Sequence, residues 1–133
     1  MIHQKITIIR YRKPRSDDIN RELQWFGNAL GLFSLRDKDK SCFRIFITLL
    51  KGAKIRHAFT SDELAAYLNL SRGTVVHHLN KLMEAGIVIH SGNKYILRVD
   101  TLSMLVEEIR KDAERSLNDL QEVAASIDHA LGL

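Results

Sequence analysis

The chain has few prolines, which interrupt helices, and few cysteines, which form disulfides. Its 133 residues include one proline, Pro14, and one cysteine, Cys42. A single cysteine cannot form an internal disulfide, which is typical of proteins in a reducing cytoplasm. With 45% hydrophobic and 27% charged residues, the composition favours one compact, mainly helical domain with extensions. We therefore expect a cytoplasmic protein.

Long apolar runs are also missing. No stretch is apolar enough to span a bilayer, and no leader precedes a small-residue cleavage site. The sequence has no Gly-rich phosphate loop, no His-Glu-x-x-His and no nucleophile elbow. We therefore predict that the protein neither enters a membrane nor acts as an enzyme.

Positive charge is concentrated in one part of the chain. The net charge is +4 for residues 1–40, +5 for residues 41–99 and −5 for residues 100–133. A basic segment is the electrostatic footprint expected of a nucleic-acid-binding domain, whereas an acidic segment should stay away from phosphate. These blocks predict an N-terminal arm and helix, a DNA-binding domain and a long C-terminal dimerisation helix, in that order.

Residues 60–69 carry the signals of a short helix. Thr60 can cap it, and Glu63 can reach back to the N–H of Thr60. Asn69 tolerates the left-handed conformation that ends a helix. A mixed-charge stretch, residues 36–40, predicts a solvated linker before an earlier buried helix at residues 41–51.

A second helix follows almost at once. Ser71 is a suitable N-cap, and Gly86 suits the position after the last turn. An apolar stripe runs along one face, formed by Val75, Leu79 and Leu82. The opposite face carries Gly73, His77, Asn80, Lys81 and Glu84, with Arg72 and Thr74 in the first turn. Two helices joined this tightly cross steeply, and the second then presents its outer face, as a recognition helix does in the major groove.

Residues 87–99 predict a β-hairpin directly after this helix. Residues 87–90 alternate as a short strand, residues 91–93 can turn, and residues 94–99 return. A hairpin in this place is the wing of a winged helix-turn-helix.

The segment from Ser71 to Val88 resembles the ArsR/MarR-type winged helix-turn-helix regulators of bacteria and archaea. Recognition helices of that type often read Ser-x-x-Thr-Val-x-x-His-Leu-x-x-Leu-x-x-Ala-Gly-Leu-Val. The matching residues in this chain are Ser71, Thr74, Val75, His78, Leu79, Leu82, Ala85, Gly86 and Val88. One departure is Asn69, where such units usually have Gly, although Asn can adopt the same backbone conformation. The resemblance implies DNA binding in transcription regulation.

The C-terminal region predicts one long helix over residues 101–131, about 45 Å long at 1.5 Å per residue. Apolar or small residues recur at alternating spacings of four and three, namely Leu102, Val106, Ile109, Ala113, Ser116, Leu120, Val123, Ile127 and Ala130. This heptad-like stripe predicts packing against another helix. Its own copy in a homodimer is the first choice, and a helix predicted at residues 16–33 of the same chain is the alternative.

The N-terminal region has two interpretations. Residues 6–11 favour a strand, and a basic run overlaps it at Arg10, Arg12, Lys13 and Arg15. The run would suit an arm on DNA. A strand that pairs with its copy, or a tail, is the interpretation we favour. In the helix that follows, with Ser16 or Asp17 as its cap, Trp25 and Phe26 are expected to be core residues rather than a ligand pocket.

The fold class is therefore mainly α with a small β-hairpin: a winged helix-turn-helix with flanking dimerisation helices, at residues 1–40 and 100–133. In a DNA reader of this kind, Arg72, His77 and Val76 are the candidates for base contacts, and Gly73 permits close approach. The candidate phosphate contacts are Ser71, Thr74, Lys81, Gly92, Asn93 and Lys94. His78 is expected to be half-buried.

Other functions fit the sequence less well. One cysteine and adjacent rather than spaced histidines argue against a metal site, and nothing indicates a cofactor. RNA binding would favour stacking aromatic residues, and the outer face has none. A protein-interaction module within a larger complex is the main alternative, but it does not need Arg72, Lys81 and Lys94 on one side. The prediction is a homodimeric regulator of double-stranded DNA.

Overall fold

The structure is a computed structural model that describes residues 3–15, 17–34, 37 and 40–133. In chain order the described elements are α1 (Ile19–Ala29), α2 (Ser41–Ala53), β1 (Phe59–Thr60), α3 (Ser61–Leu68), α4 (Arg72–Glu84), β2 (Val88–Ser91), β3 (Lys94–Leu97) and α5 (Leu102–Leu131). The predicted winged helix-turn-helix with a long C-terminal helix is confirmed.

The helix-turn-helix begins and ends at the predicted residues. The Thr60 hydroxyl accepts from the Glu63 N–H at 3.0 Å, and the Glu63 carboxylate accepts from the Thr60 N–H at 2.9 Å. Ser71 caps α4 by accepting from the Thr74 N–H at 3.1 Å. Asn69 ends α3 in the left-handed conformation, with φ of 54°. Local hydrogen bonding thus sets the ends of both helices.

The core lies between α2 and the helix-turn-helix. Of the described residues, eight hydrophobic side chains are 0% exposed, and they include three from α2 (Ile45, Phe46, Leu49) and three from α4 (Val75, Leu79, Leu82). Further buried residues come from α3, from the wing and from the first turns of α5. The apolar stripe predicted on the second helix is therefore the stripe that holds α4 against the domain.

The wing belongs to a three-stranded antiparallel sheet with strand order β1-β3-β2. Within it, Val88 pairs with Leu97 and Phe59 pairs with Tyr95. The hairpin was predicted, but the pairing of β1 was not, because two residues carry no period that a sequence could reveal.

Within the described chain the N-terminal arm, residues 3–15, forms no strand, and a strand that pairs with a second copy stays a prediction. The Lys5 N–H donates to the Glu84 carbonyl at 2.9 Å, and the Ile9 N–H donates to the Ala29 carbonyl at 2.7 Å. The arm is therefore held by carbonyls at the ends of α4 and α1, which occupy backbone groups that a strand partner would need.

The first helix is shorter than predicted. Asp18 caps α1 by accepting from the Asn20 N–H at 2.9 Å, so Asp17 is not the cap. Ser16, the other predicted cap, lies outside the described residues. After α1 the chain turns at Gly31, with φ of 68°, and buries Leu32 in the core. Residues 30–33 therefore belong to a turn and a core anchor rather than to the helix.

The helix α5 has two halves with different surroundings. Thr101 caps it by accepting from the Met104 N–H at 3.1 Å, and Leu105 and Ile109 enter the core. From Glu114 to the C terminus every residue is exposed. None of the described helices is long and apolar enough to cross a membrane. Only the first half of α5 is thus part of the domain.

A cluster of charged and polar groups fastens this first half. The Asp112 carboxylate, 5% exposed, accepts from the Arg98 guanidinium at 2.5 Å, from the Gln4 amide at 2.9 Å and from Arg115. The same Gln4 amide donates to the Ala85 carbonyl at 3.2 Å. The cluster therefore joins the arm, the end of α4, the wing and α5.

Candidate nucleic-acid interface

The outer face of α4 lies opposite its buried stripe and is polar. Exposed residues on the described helix are Arg72, Gly73, His77, Asn80 and Glu84. The flanking positions Thr74, Val76, His78 and Lys81 are half-buried. A Cβ added at Gly73 would have no neighbour within 4 Å, so this point of the helix is open to close approach. The face can therefore lie against an external surface.

Arg72 lies at the start of this face beside α3. Its Nε is 3.5 Å from a carboxylate oxygen of Asp62, and both side chains are more than 70% exposed. An ion pair this exposed contributes little, because water screens it. Asp62 can therefore orient the guanidinium without preventing it from contacting a ligand.

The tip of the wing lies at the same end of the motif, since Lys94 pairs with Ser91 directly beside the turn. The β1–β3 pairing sets Lys94 opposite Thr60, at the start of α3. Asp62, in the first turn of α3, contacts Arg72 at the start of α4. The structure therefore brings Lys94 and Arg72 to the starts of the two helices. The exposed wing tip carries Asn93 and Gly92, the latter at a φ of 61°.

Lys81 lies on the opposite flank of α4. Nine residues are two and a half helical turns, so Lys81 is half a turn around the helix from Arg72. Its ammonium donates to the Leu32 carbonyl at 3.1 Å. The expectation that Arg72, Lys81 and Lys94 share one side therefore holds for two of them. Lys81 faces the chain that joins α1 to α2.

The hydroxyls at the start of α4 form a small network. The Ser71 hydroxyl donates to the Thr74 hydroxyl at 2.8 Å while it accepts the Thr74 N–H. The Ser71 proton and oxygen are therefore both engaged in the cap. The Thr74 hydroxyl keeps a proton that it can donate to a phosphate oxygen.

His78 anchors the inner flank of α4, as predicted for a half-buried residue. Its Nε2 is 3.9 Å from an Asp37 oxygen, and the two side chains are 12% and 13% exposed. Burial lowers the pKa of His78, and the Asp37 charge offsets part of that effect. His78 therefore favours the neutral form and positions α4 rather than reading a ligand.

Asp37 is a structural residue that the sequence analysis missed. Its carboxylate accepts from the Ser41 N–H at 3.0 Å and the Cys42 N–H at 2.9 Å, at the start of α2. Burial raises the pKa of Asp37, but these two N–H groups and His78 outweigh it, so that the pKa is lowered. The cap lies four residues before the helix, beyond the reach of the usual N-cap pattern. Residues 36, 38 and 39 of the predicted linker lie outside the described residues.

Asn80 is exposed on the outer face of α4 but was not predicted as a base contact. It lies one turn from His77 on the outer face, and its amide has both donors and an acceptor. Asn can bind the major-groove edge of adenine with two hydrogen bonds. Helical spacing alone, three residues after His77, is the signal that identifies it.

The metal-ligating side chains do not gather in the described part of the chain. No group of three or more His, Cys, Asp or Glu there could hold a metal ion. Cys42 is 1% exposed, and burial raises the pKa of its thiol to about 11. The thiol is therefore protonated at neutral pH. The outer face of α4 remains the candidate binding site.

Comparison with known families identifies the same segment. Residues 59–90 match the model of the family described as bacterial regulatory protein, arsR family. The matched residues span β1, α3, α4 and most of β2. No curated protein and no solved structure matches the chain. The match confirms the resemblance to ArsR-type regulators and indicates a DNA-binding transcription regulator.

Proposed function

We propose that this chain, whose residues 59–90 form an ArsR-type helix-turn-helix, is a sequence-specific transcription regulator that binds double-stranded DNA as a homodimer. In this proposal α4 enters the major groove and the wing contacts the flanking backbone. The observation that carries it is the open polar face of α4 within the family match. The regulator works in the cytoplasm and requires no cofactor.

Base recognition is assigned to the outer face of α4. Arg72 is the first candidate, because its guanidinium matches the O6 and N7 acceptors of guanine. His77 and Asn80 follow along the same face, and Val76 at its edge suits a thymine methyl group. Gly73 lets the backbone of α4 come close to the groove.

Phosphate contacts surround this face and set the affinity rather than the sequence preference. We assign them to Ser71, Thr74, Lys81, Gly92, Asn93 and Lys94. Thr74 offers its hydroxyl proton, and Lys81 keeps two donors besides the one on Leu32. The wing tip suits the backbone through Lys94 and through the amides near Gly92. The Ser71 hydroxyl reaches a phosphate only if its proton turns away from Thr74, so Ser71 acts mainly through the cap of α4.

The homodimer follows from the uncovered stripe of α5. Large apolar side chains that remain exposed there are Leu117, Leu120, Val123, Ile127 and Leu131. An apolar seam of this length is normally covered by another helix. Two copies would offer two α4 helices to successive major grooves, about 34 Å apart on an inverted repeat.

The test is binding of the purified protein to labelled fragments of genomic DNA in excess non-specific competitor, across a salt series. We expect at least one fragment to survive competition, with an affinity that falls steeply as salt rises. On that fragment, Arg72→Ala should lose about 1–3 kcal/mol of discrimination against a changed base. Lys94→Ala should weaken binding to all sequences and reduce the salt slope.

Lys111→Ala is the matched control, because Lys111 is an exposed lysine of α5, outside the family match. This variant should leave both the discrimination against a changed base and the salt slope of binding unchanged. If Arg72→Ala weakens all sequences equally, Arg72 contacts phosphate and not a base. If no fragment survives competition at low salt, the protein is not a sequence-specific DNA reader.

The alternative, a protein-interaction module, has one observation in its favour. Ile55 and Tyr67 are 74% and 75% exposed and line a groove of about 490 Å³ between α2 and α3. Exposed apolar groups beside a groove are typical of protein contacts. This alternative would be favoured if the protein does not bind DNA but binds a partner protein, and if Tyr67→Ala abolishes that binding.

A further inference from the structure

The C-terminal half of α5 lacks cover from its own chain. Between Glu114 and Leu131 this segment extends about 27 Å. Leu117, Leu120 and Val123 on it are 61%, 65% and 57% exposed. Since burial of apolar surface contributes about 25 cal/mol per Å², a surface that covers this stripe gains considerable stability.

A groove at the base of the same stripe offers such a surface. It has a volume of about 480 Å³ and lies between the N-terminal arm, α1 and the first half of α5. Its apolar walls include Ile8 of the arm, Phe26 and Leu30 of α1, and Val106 and Ala113 of α5. The stripe runs out of this groove along the exposed half.

Charge distinguishes the possible occupants of the groove. Residues 116–133 contain three acidic residues (Asp119, Glu122 and Asp128) and neither Lys nor Arg. Residues 10–15 of the arm contain four basic residues, all of them exposed, and no acidic one. Lys13 lines a second cavity that shares Trp25 and Phe26 with the groove. An acidic apolar helix therefore fits beside this arm.

We infer that the C-terminal half of α5 from a second copy of this chain fills the groove, so that the two α5 helices pair antiparallel and each copy completes the groove of the other. The inference rests on the proposed homodimer and specifies its geometry. A parallel pair would set Asp119, Glu122 and Asp128 beside their own copies and keep them away from either arm. It would also leave both grooves without the acidic half.

The heptad spacing gives the register of this pair. In an antiparallel pair, each residue of the apolar stripe on one helix should lie beside a stripe residue of the other helix. One register achieves this for every stripe residue from Val106 to Ala130. In that register Ile109 faces Ile127 of the second copy, and Ala113 faces Val123. The groove residues of one copy are thus covered by the exposed stripe of the other.

This geometry also assigns the basic arm. Arg10, Arg12, Lys13 and Arg15 face the acidic half of the second copy instead of a DNA minor groove. The arm is anchored by Lys5 and Ile9, which fixes where the basic run begins. Dimerisation, and not the salt slope of DNA binding, should therefore depend on these four residues.

The test is disulfide cross-linking of cysteine variants in the absence of DNA. The variant Ala113→Cys/Val123→Cys should form a covalent dimer under mild oxidation, while each single variant should not. Within one chain these two positions are about 15 Å apart, too far for an internal disulfide. Native Cys42 is 1% exposed and gives little background. Asn118→Cys, on the opposite side of α5, is the control and should remain monomeric under denaturing conditions.

Either of two results would overturn the inference. A covalent dimer of the single variant Val123→Cys would indicate a parallel pair. Failure of the double variant to cross-link, whether the protein is a dimer or a monomer, excludes this register. Neither result concerns Arg72 or DNA, so a parallel dimer that reads DNA would refute the geometry alone. An antiparallel dimer without DNA binding would refute only the proposed regulator.

A second measurement separates packing from charge. Leu120→Asp should raise the dimer dissociation constant at least about tenfold in sedimentation, whereas Asn118→Asp, with the same added charge, should not. Leu120 is exposed in the monomer, so the monomer should still fold. Arg12→Glu/Lys13→Glu should weaken the dimer at low salt. If that variant weakens only DNA binding, the basic arm contacts DNA and not the acidic half of the second copy, and the inference from charge is wrong.

Discussion

The helices α4 and α5 both carry an apolar stripe, but the two stripes differ in how far the chain itself covers them. The stripe of α4 is completely covered by its own domain, with Val75 and Leu79 at 0% exposure. The stripe of α5 is buried at Ile109, whereas every residue after Ala113 is exposed, with Leu120 and Val123 more than half exposed. Helical periodicity shows that a face needs cover but does not show which molecule supplies it.

The comparison also separates two kinds of function. The covered stripe of α4 leaves a polar face outside, where Arg72, His77 and Asn80 can meet a ligand. The α5 helix presents the apolar stripe itself, which suits a protein surface. In the proposed function, recognition and assembly therefore use opposite kinds of helix face.

The largest expected effect comes from the paired substitutions Leu79→Ala and Leu120→Ala. Leu79→Ala should lower the free energy of unfolding by about 2–5 kcal/mol at any protein concentration, because it opens a cavity in the core. Leu120→Ala should affect stability only where the protein is dimeric. Urea denaturation at several protein concentrations measures both. A concentration-independent loss for Leu120→Ala would mean that its own chain covers it.

The next effect concerns the anchor that holds the first half of α5. Asp112→Asn should lower the free energy of unfolding by about 2 kcal/mol, because it removes the nearer of the two carboxylates that pair with Arg98. Arg98 is one quarter exposed and keeps Glu108 at 3.4 Å, so the loss is smaller than that of a fully buried pair. Glu107→Gln, in an exposed pair with Arg110, is the control and should cost almost nothing.

The same substitution should change the response to acid. The Arg98 and Gln4 hydrogen bonds lower the pKa of Asp112 in the folded protein, against the opposing effect of burial. Its contribution is therefore complete above the unfolded pKa, about 3.9, and is lost as pH falls through the lower folded pKa. Asp112→Asn should flatten the stability profile in that range. An unchanged profile would contradict this role.

A smaller effect compares the N-caps of the two helices. Ser71→Ala and Thr101→Ala each remove a hydroxyl that accepts a backbone N–H at 3.1 Å, and each should cost about 1 kcal/mol. Ser71→Ala should also reduce DNA affinity, since it loosens the start of α4, whereas Thr101→Ala should not. Thermal unfolding and a binding titration measure the two quantities. Equal effects on DNA affinity would argue against α4 as the reading helix.

The weakest effect is the pH dependence contributed by His78. Burial lowers its pKa below the usual value of 6.5, and Asp37 offsets part of this shift. Stability should therefore begin to fall as pH drops below about 6.5 and should stop falling once pH is below the folded pKa. His78→Gln should remove this component. Nuclear magnetic resonance titration of the His78 ring checks the direction, and a raised pKa would refute it.

Local signals predicted the helix-turn-helix well. The capping box at Thr60, the cap at Ser71 and the left-handed Asn69 depend on residues within a few positions of one another. Hydrogen bonds over such short separations are encoded in the adjacent sequence. The outer face of α4 was predicted for the same reason, although Asn80 was not included among the base contacts.

Contacts between distant segments were not predictable in this way. Gln4 meets Asp112 across 108 residues, and Lys81 meets Leu32 across 49. The arm was predicted as a strand because its β-branched residues fit one, yet its backbone bonds go to Glu84 and Ala29. Propensity is a weak guide where a tertiary partner is available.

The sequence by itself determined the helix-turn-helix, the wing hairpin and the long C-terminal helix, since caps, stripes and turn residues act over one or two helical turns. Only the tertiary structure decided which stripe is covered, which flank of α4 carries Lys81 and how far α5 belongs to the domain. The physical reason is range. Backbone hydrogen bonds and side-chain spacing are local, whereas burial depends on surfaces that distant parts of the chain, or a second chain, bring together.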